Sequence, residues 1–155
     1  TLAIDAYTSI IQHMDIKSSD MCLAHALRRA DRIVSQLYND RLAHLGIRIT
    51  QFSLLRALHY LGSTTASEVK DVLTMEQATI SRALKPLVRD GFIQVSEGSN
   101  KREKALSLTP AGKKLYQQAL APWNAVQDQL RQELGEGDDD LIVSLSQKIV
   151  HKIKA

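Results

Sequence analysis

Five polar side chains fall within nine residues of one amphipathic stretch: Gln77, Thr79, Ser81, Arg82 and Lys85. Their types suit hydrogen bonding to a nucleic-acid duplex. A guanidinium can bond guanine O6 and N7 together, a carboxamide can do the same with adenine, and a threonine methyl can meet the thymine methyl. Ile80, Leu84, Leu87 and Val88 are left to face a protein core, and Ala78 and Ala83 are small enough to permit close approach. A second basic group follows at Lys101, Arg102 and Lys104. An arginine on a thin hairpin can enter a narrow minor groove, where the negative potential is strongest. Arg102 is expected to do so, with Lys101 and Lys104 on phosphates.

Charge supports this placement. Of 20 basic and 17 acidic residues, the window from Gln77 to Lys104 takes six basic and three acidic, leaving 14 of each elsewhere. The whole net charge of +3 therefore lies in that window, and a local basic surface is what phosphate binding requires.

These residues need a scaffold. Thr65-Ala66-Ser67-Glu68 has the form of a capping box, in which the two side chains satisfy each other's free backbone N–H. It predicts a helix to about Leu73. Thr74-Met75-Glu76-Gln77 repeats the form and predicts a second helix over about Met75–Asp90. Two capped helices joined by a short break make a helix-turn-helix. Pro86 lies inside the second one, where it removes an N–H and crowds the carbonyl of Arg82. It either tilts the N-terminal half or marks the protein-facing half. Phe92–Val95 and Ala105–Leu108 alternate apolar and polar residues as half-buried strands do, and the polar run between them, Ser96–Arg102, forms a basic hairpin tip.

Longer helices flank this unit. Leu23, Leu27, Ala30, Ile33, Val34, Leu37 and Leu42 recur at spacings of three and four over Asp20 to about Leu45, with Gly46 as the terminating residue. A helix over about Thr50–Leu61 carries Phe52, Leu55, Leu58 and Leu61 and stops at Gly62. Thr109-Pro110 supplies an N-cap and a first-turn proline for a helix through Trp123 and Leu130, with a kink expected at Pro122. Gly135-Glu136-Gly137 breaks it. Asp138-Asp139-Asp140 opens a last helix lined by Leu141, Leu145, Ile149 and Ile153. Residues 20–45 and 110–154 hold more apolar helix face than one small domain can bury, which predicts a dimer.

The expected fold is mainly α with a small β-hairpin wing. A winged helix-turn-helix occupies residues 49–108, and residues 1–48 and 109–155 form a helical dimerisation region. The run TASEVKDVLTMEQATISRALKPLVRDGFI, the hairpin and LSLTPAGKKL resemble the MarR family of bacterial transcription regulators. The preceding LRRADRIVSQLYNDRLAHLGIRITQFSLLRAL resembles that family's first two helices, so the likeness covers roughly residues 20–150. It implies a homodimer with interlocking terminal helices. It also implies binding to a near-palindromic operator in double-stranded DNA, most often as a repressor relieved by a ligand or by oxidation. The implied small-molecule site lies between the dimer helices and the winged helix, with Tyr38, His59, Tyr60 and Trp123 as candidate lining residues for a small aromatic or phenolic ligand.

Two departures stand out. The family's wing often reads Asp-x-Arg, whereas this chain has Asn100-Lys101-Arg102, and Asn100 cannot ion-pair with Arg102. The family's hydroperoxide-sensing branch uses a reactive cysteine near the start of the first helix. Alignment on Tyr38 and Gln51 puts that cysteine at Ala24, and one of two supporting tyrosines at Ile49. Cys22 is nearby and is the candidate for an oxidant switch.

Other classes are disfavoured. No phosphate-binding glycine loop, H-E-x-x-H motif or nucleophile elbow is present, so no catalytic residue and no enzyme are expected. One cysteine excludes an internal disulfide, and the five histidines show no metal-ligand spacing, so neither metal nor cofactor is expected. No apolar run reaches the roughly 20 residues that span a bilayer, and the opening residues lack a signal-peptide layout. Together these predict a cytoplasmic chain. A winged helix that binds proteins is the remaining alternative, but such an interface favours aromatic anchors where this chain has Gln77, Thr79, Ser81, Arg82 and Arg102.

Overall fold

The computed structural model describes residues 22–99 and 103–153. They form six α-helices and three short strands. Helix α1 spans Leu23–Leu42 and is continued by a 3-10 turn, Ala43–Leu45. Gly46 ends it with φ 71°, in the left-handed region that costs glycine least. Helix α2 (Ile49–Leu61), strand β1 (Thr64–Thr65), α3 (Ala66–Leu73) and α4 (Gln77–Arg89) follow. Strands β2 (Ile93–Glu97) and β3 (Lys104–Leu108) make the wing, and α5 (Pro110–Leu134) and α6 (Asp138–Ile153) complete the chain.

By its contacts the chain divides after Gln36. In the first unit, residues 23–36 of α1 present Leu23, Leu27 and Ile33 to solvent. The second unit, from Leu37, holds every other element. Its core joins Tyr38, Leu42 and Ile47 with Phe52, Leu54, Leu55 and Leu58 of α2, Val69 of α3, and Ile80 and Leu87 of α4. Ile93, Leu106 and Leu108 of the wing and Leu115, Tyr116, Ala119 and Val126 of α5 close it. The side-chain carboxamide oxygen of Asn39 accepts a hydrogen bond from the Ile49 N–H at 2.9 Å, tying the end of α1 to the start of α2.

The sheet is antiparallel, in the order β1-β3-β2. Ile93 pairs with Leu108 and Glu97 with Lys104, while Thr64 pairs with Leu106 on the other edge of β3. The expected hairpin is therefore present, its first strand starting one residue later and ending two residues later than expected. The two-residue β1 was not expected. Its pairing partner lies some forty residues away, and so short a strand leaves no local alternation to read.

Both prolines inside helices are accommodated: α4 continues through Pro86 to Arg89, and α5 through Pro122 to Leu134. Among the described residues no helix is long and apolar enough to cross a membrane.

Candidate nucleic-acid interface

Helix α3 starts as its sequence requires. The Thr65 hydroxyl accepts from the Glu68 N–H at 3.2 Å, and the Glu68 carboxylate accepts from the Thr65 N–H at 2.9 Å. Thr64 adds a third bond, donating its hydroxyl to the same carboxylate at 2.5 Å. That bond first, then the one from the Thr65 N–H, holds the Glu68 carboxyl below the ordinary glutamate range.

The second expected capping box does not form. Thr74 is instead the last residue of α3's turn, in left-handed conformation at φ 51°, with its N–H bonded to the carbonyls of Asp71 and Lys70. A residue capping the following helix would need an extended backbone, which that role precludes. The extended residue is Glu76, and α4 starts at Gln77 without a side-chain cap.

On α4, Gln77, Ser81, Arg82 and Lys85 are exposed, and Thr79 is half-buried. Rows three and four residues apart share a helix face, so these exposed positions form one presented surface. The opposite row, Ile80, Ala83 and Leu87, is buried. Two expectations are corrected here. Ala83 belongs to the buried row and not to the open face, whereas Val88 is 37% exposed and off the core. One helical step of about 100° accounts for both.

A groove runs along each side of α4. The larger, about 520 Å³, lies toward the wing and joins Ser81, Lys85 and Val88 of α4 to Val95, Glu103 and Lys104. The smaller, about 290 Å³, lies toward α2 and joins Thr79 and Arg82 to Arg48 and Thr50. The structure thus brings Lys104 into one groove with Ser81 and Lys85. Lys101 and Arg102, together with Asn100, lie outside the described residues. Of the basic window, Arg89 is already neutralised: its guanidinium makes two bonds to the Asp90 carboxylate, at 2.7 and 3.0 Å. Those bonds, ahead of the charge attraction itself, hold Asp90 below the usual carboxylate range.

The wing is locked to α5 from below. Thr109 donates its hydroxyl to the Gly91 carbonyl at 2.6 Å while accepting from the Gly112 N–H at 3.0 Å. Its own N–H donates to the Phe92 carbonyl at 3.1 Å. Gly112 passes so close that a Cβ there would overlap the Phe92 carbonyl oxygen.

Three of the four candidate ligand residues gather in one aromatic cluster. His59 lies 4.5 Å from Tyr116 and 5.1 Å from Tyr60, ring centre to ring centre. Trp123 stacks on Phe52 at 5.6 Å. The Arg56 guanidinium sits 4.7 Å from the Trp123 ring centre and 5.4 Å from that of Tyr60, within cation–π range. Burial raises the Tyr116 phenol above its ordinary value, with Arg56 opposing. Beside the cluster, Arg56, Tyr60, Leu61 and Val72 line a groove of about 260 Å³ between α2 and α3. Tyr38 is instead buried in the core at the end of α1, and burial raises its phenol too.

Cys22 is exposed, just ahead of α1. Among the described residues no three His, Cys, Asp or Glu side chains converge as metal ligands would.

Sequence reasoning missed Arg48, Arg56 and Tyr116. Arg48 sits in a connector that reads only as a helix boundary. Tyr116 and Arg56 come together only when α2 and α5 pack. A basic residue immediately ahead of a helix start was the one readable signal, and it applied to Arg48.

Comparison with known proteins agrees with this geometry. A family model described as the MarR family matches residues 47–104. An uncharacterised HTH-type transcriptional regulator of Bacillus subtilis is 27% identical over 118 residues, 76% of this chain and 86% of that protein. The M. tuberculosis transcriptional regulator MosR, solved in complex with DNA, is 31% identical. That match covers 83% of this chain and 96% of MosR, with a TM-score of 0.73. A mutant MarR from E. coli complexed with operator DNA shares the fold, with a TM-score of 0.76 at 22% identity over 88% of this chain and 99% of that one.

Proposed function

The chain belongs to the MarR family and is a transcription regulator that binds DNA; from that premise we propose that it acts as a homodimer on a near-palindromic operator, as a repressor relieved by a small aromatic ligand. The observation that carries the DNA-binding part is the open face of α4. Gln77, Ser81, Arg82 and Lys85 are all exposed on a helix whose other side is buried in the core. A recognition helix needs that division, since it must hold its position while its polar side enters the major groove.

In this reading Arg82 and Gln77 read base edges, Thr79, Ser81 and Lys85 bond bases or backbone, and Lys104, with Lys101 and Arg102, follows the adjacent groove. Residues 49–108 form the DNA-binding domain, and residues 1–48 and 109–155 the dimerisation region. A cytoplasmic location follows from the same reading. The dimer is supported by apolar residues that the single chain leaves uncovered, including Leu141, Leu145 and Ile149 of α6. Ligand relief is supported by the groove beside Arg56 and Tyr60. Its apolar walls suit an aromatic ring, its guanidinium suits a carboxylate or phenolate, and it borders α3 of the helix-turn-helix.

Selection of duplexes from a random pool tests the reading, followed by binding of the Arg82→Ala variant. The wild type should enrich an inverted repeat. Arg82→Ala should lose about 1–3 kcal/mol on that site and much less on a scrambled duplex. No enrichment would reject the reading, and an equal loss on both duplexes would remove Arg82 as a base reader. Release of the selected duplex by benzoate, absent in Arg56→Ala, tests the ligand part.

A further inference from the structure

The two grooves beside α4 differ in charge. The wing-side groove contains Lys85 and Lys104 with one acid, Glu103. The α2-side cleft contains Arg48 and Arg82 with no carboxylate among its lining residues. Its remaining polar groups are Thr50, Gln51 and Thr79, and Pro86 forms part of its apolar wall. Arg48 and Arg82 are both exposed. Among the described residues neither has an ion-pair partner, whereas Arg89 and Arg131 are both bonded to aspartates.

Two unpaired guanidiniums on the walls of one cleft repel each other. An anion seated between them converts that repulsion into two attractions. A phosphodiester suits the place. Guanidinium forks match its non-bridging oxygens in pairs, and threonine hydroxyls can donate to the same oxygens. The local backbone is also prepared for it. Gln51 turns its side-chain oxygen back to accept from the Arg48 N–H at 2.9 Å, and Asn39 accepts from the Ile49 N–H at 2.9 Å. The residue is thus held at a fixed helix start while its side chain remains unengaged.

We propose that the cleft between the first turn of α2 and α4 holds one backbone phosphate of the DNA, with Arg48 as its principal contact. This rests on the DNA-binding reading and extends the interface beyond α4 and the wing to a third element. Arg48 contributes affinity and register but carries no base information, as phosphate contacts do. Arg82, at the lip of the same cleft, keeps the base-reading role given to it above.

The test measures anisotropy of two labelled duplexes over a series of salt concentrations: the one selected by the wild-type chain, and a scrambled duplex of equal composition. Arg48→Ala should weaken both by a similar factor, on the order of tenfold at physiological salt. It should also lower the slope of log affinity against log salt by about 1. Arg48→Lys should restore most of the slope, and Arg48→Glu should weaken binding further than alanine does. Thermal unfolding of each variant should match the wild type, because the bonds that fix this turn run through the Arg48 backbone and through Asn39 and Gln51. Unchanged affinity and slope in Arg48→Ala, on a duplex that the wild type binds with a steep slope, would overturn the proposal. So would a loss confined to the selected duplex, which would make Arg48 a base reader. A wild type that binds neither duplex would instead overturn the DNA-binding reading itself.

Discussion

In the winged body, Phe52, Leu54, Leu55, Leu58, Val69, Ile80, Leu87 and Ile93 are buried within one chain, whereas along α6 no residue is buried at all. The compositions of the two regions do not explain this. Helix α6 carries Leu141, Ile142, Val143, Leu145, Ile149, Val150 and Ile153, seven large apolar side chains in sixteen residues, and none of them is buried. The difference lies in what each face meets. Helix α2 is packed by α3, α4, α5 and β3, while α6 is joined to the rest through its start, where Arg131 bonds Asp139 at 2.8 Å. The winged body buries its apolar side chains within one chain, whereas the C-terminal helix leaves its own uncovered. Contiguous exposed apolar surface on this scale marks an association site, and the dimer proposed above would cover it.

The largest expected effect comes from breaking the uncovered face. Leu145→Asp with Ile149→Asp places two charges one turn apart on that face. The wild type should sediment as a dimer at micromolar concentration and the double variant as a monomer. Losing the linked second half-site should cost the selected operator roughly a hundredfold in affinity or more. A variant that stays dimeric, or a wild type that is already monomeric, would remove the contrast.

The winged body should respond to its tightest contact. Gly112→Ala drives a methyl group into the Phe92 carbonyl, a backbone atom that cannot step aside without moving the wing. The expected cost is about 3 kcal/mol, the upper end for overpacking, read as a lower denaturation midpoint. A wild-type midpoint would mean that the junction of α5 and the wing is looser than described.

These two regions were unequally legible in sequence. The capping box at Thr65 and the N-cap at Thr109 depend on neighbours within three residues, and both α3 and α5 begin where the pattern placed them. The same pattern misled at Thr74 because two helices compete for one turn, and the left-handed close of α3 took the residue that α4 would have used. Strand β1 and the Arg56, Tyr60, Tyr116 and Trp123 cluster depend on segments far apart in the chain, which no local window contains. Arg48 was missed because its partner across the cleft, Arg82, is thirty-four residues away.

A smaller effect sharpens the account of the legible part. Thr65→Ala should cost about 1 kcal/mol, the usual value of an N-cap. The Glu68 carboxyl is held below its ordinary range in the folded chain, so its contribution is full at neutral pH. That contribution is lost as pH falls through the ordinary glutamate range toward the depressed folded value. The stability difference between wild type and Glu68→Gln should therefore shrink on acidification, measured as the gap between their denaturation midpoints. A constant gap would show that hydrogen bonding to the ionised carboxylate does not hold the start of α3.

The central claim is that the open face of α4, with the basic groups on either side of it, meets DNA. The most direct measurement is the affinity of the wild-type chain for its selected duplex as salt is raised. Each neutralised phosphate should add about 0.9 to the slope of log affinity against log salt. With Arg48, Arg82, Lys85 and Lys104 all in the interface, the plot should be linear and steep. A flat response, with binding unchanged across the salt series, would contradict the account.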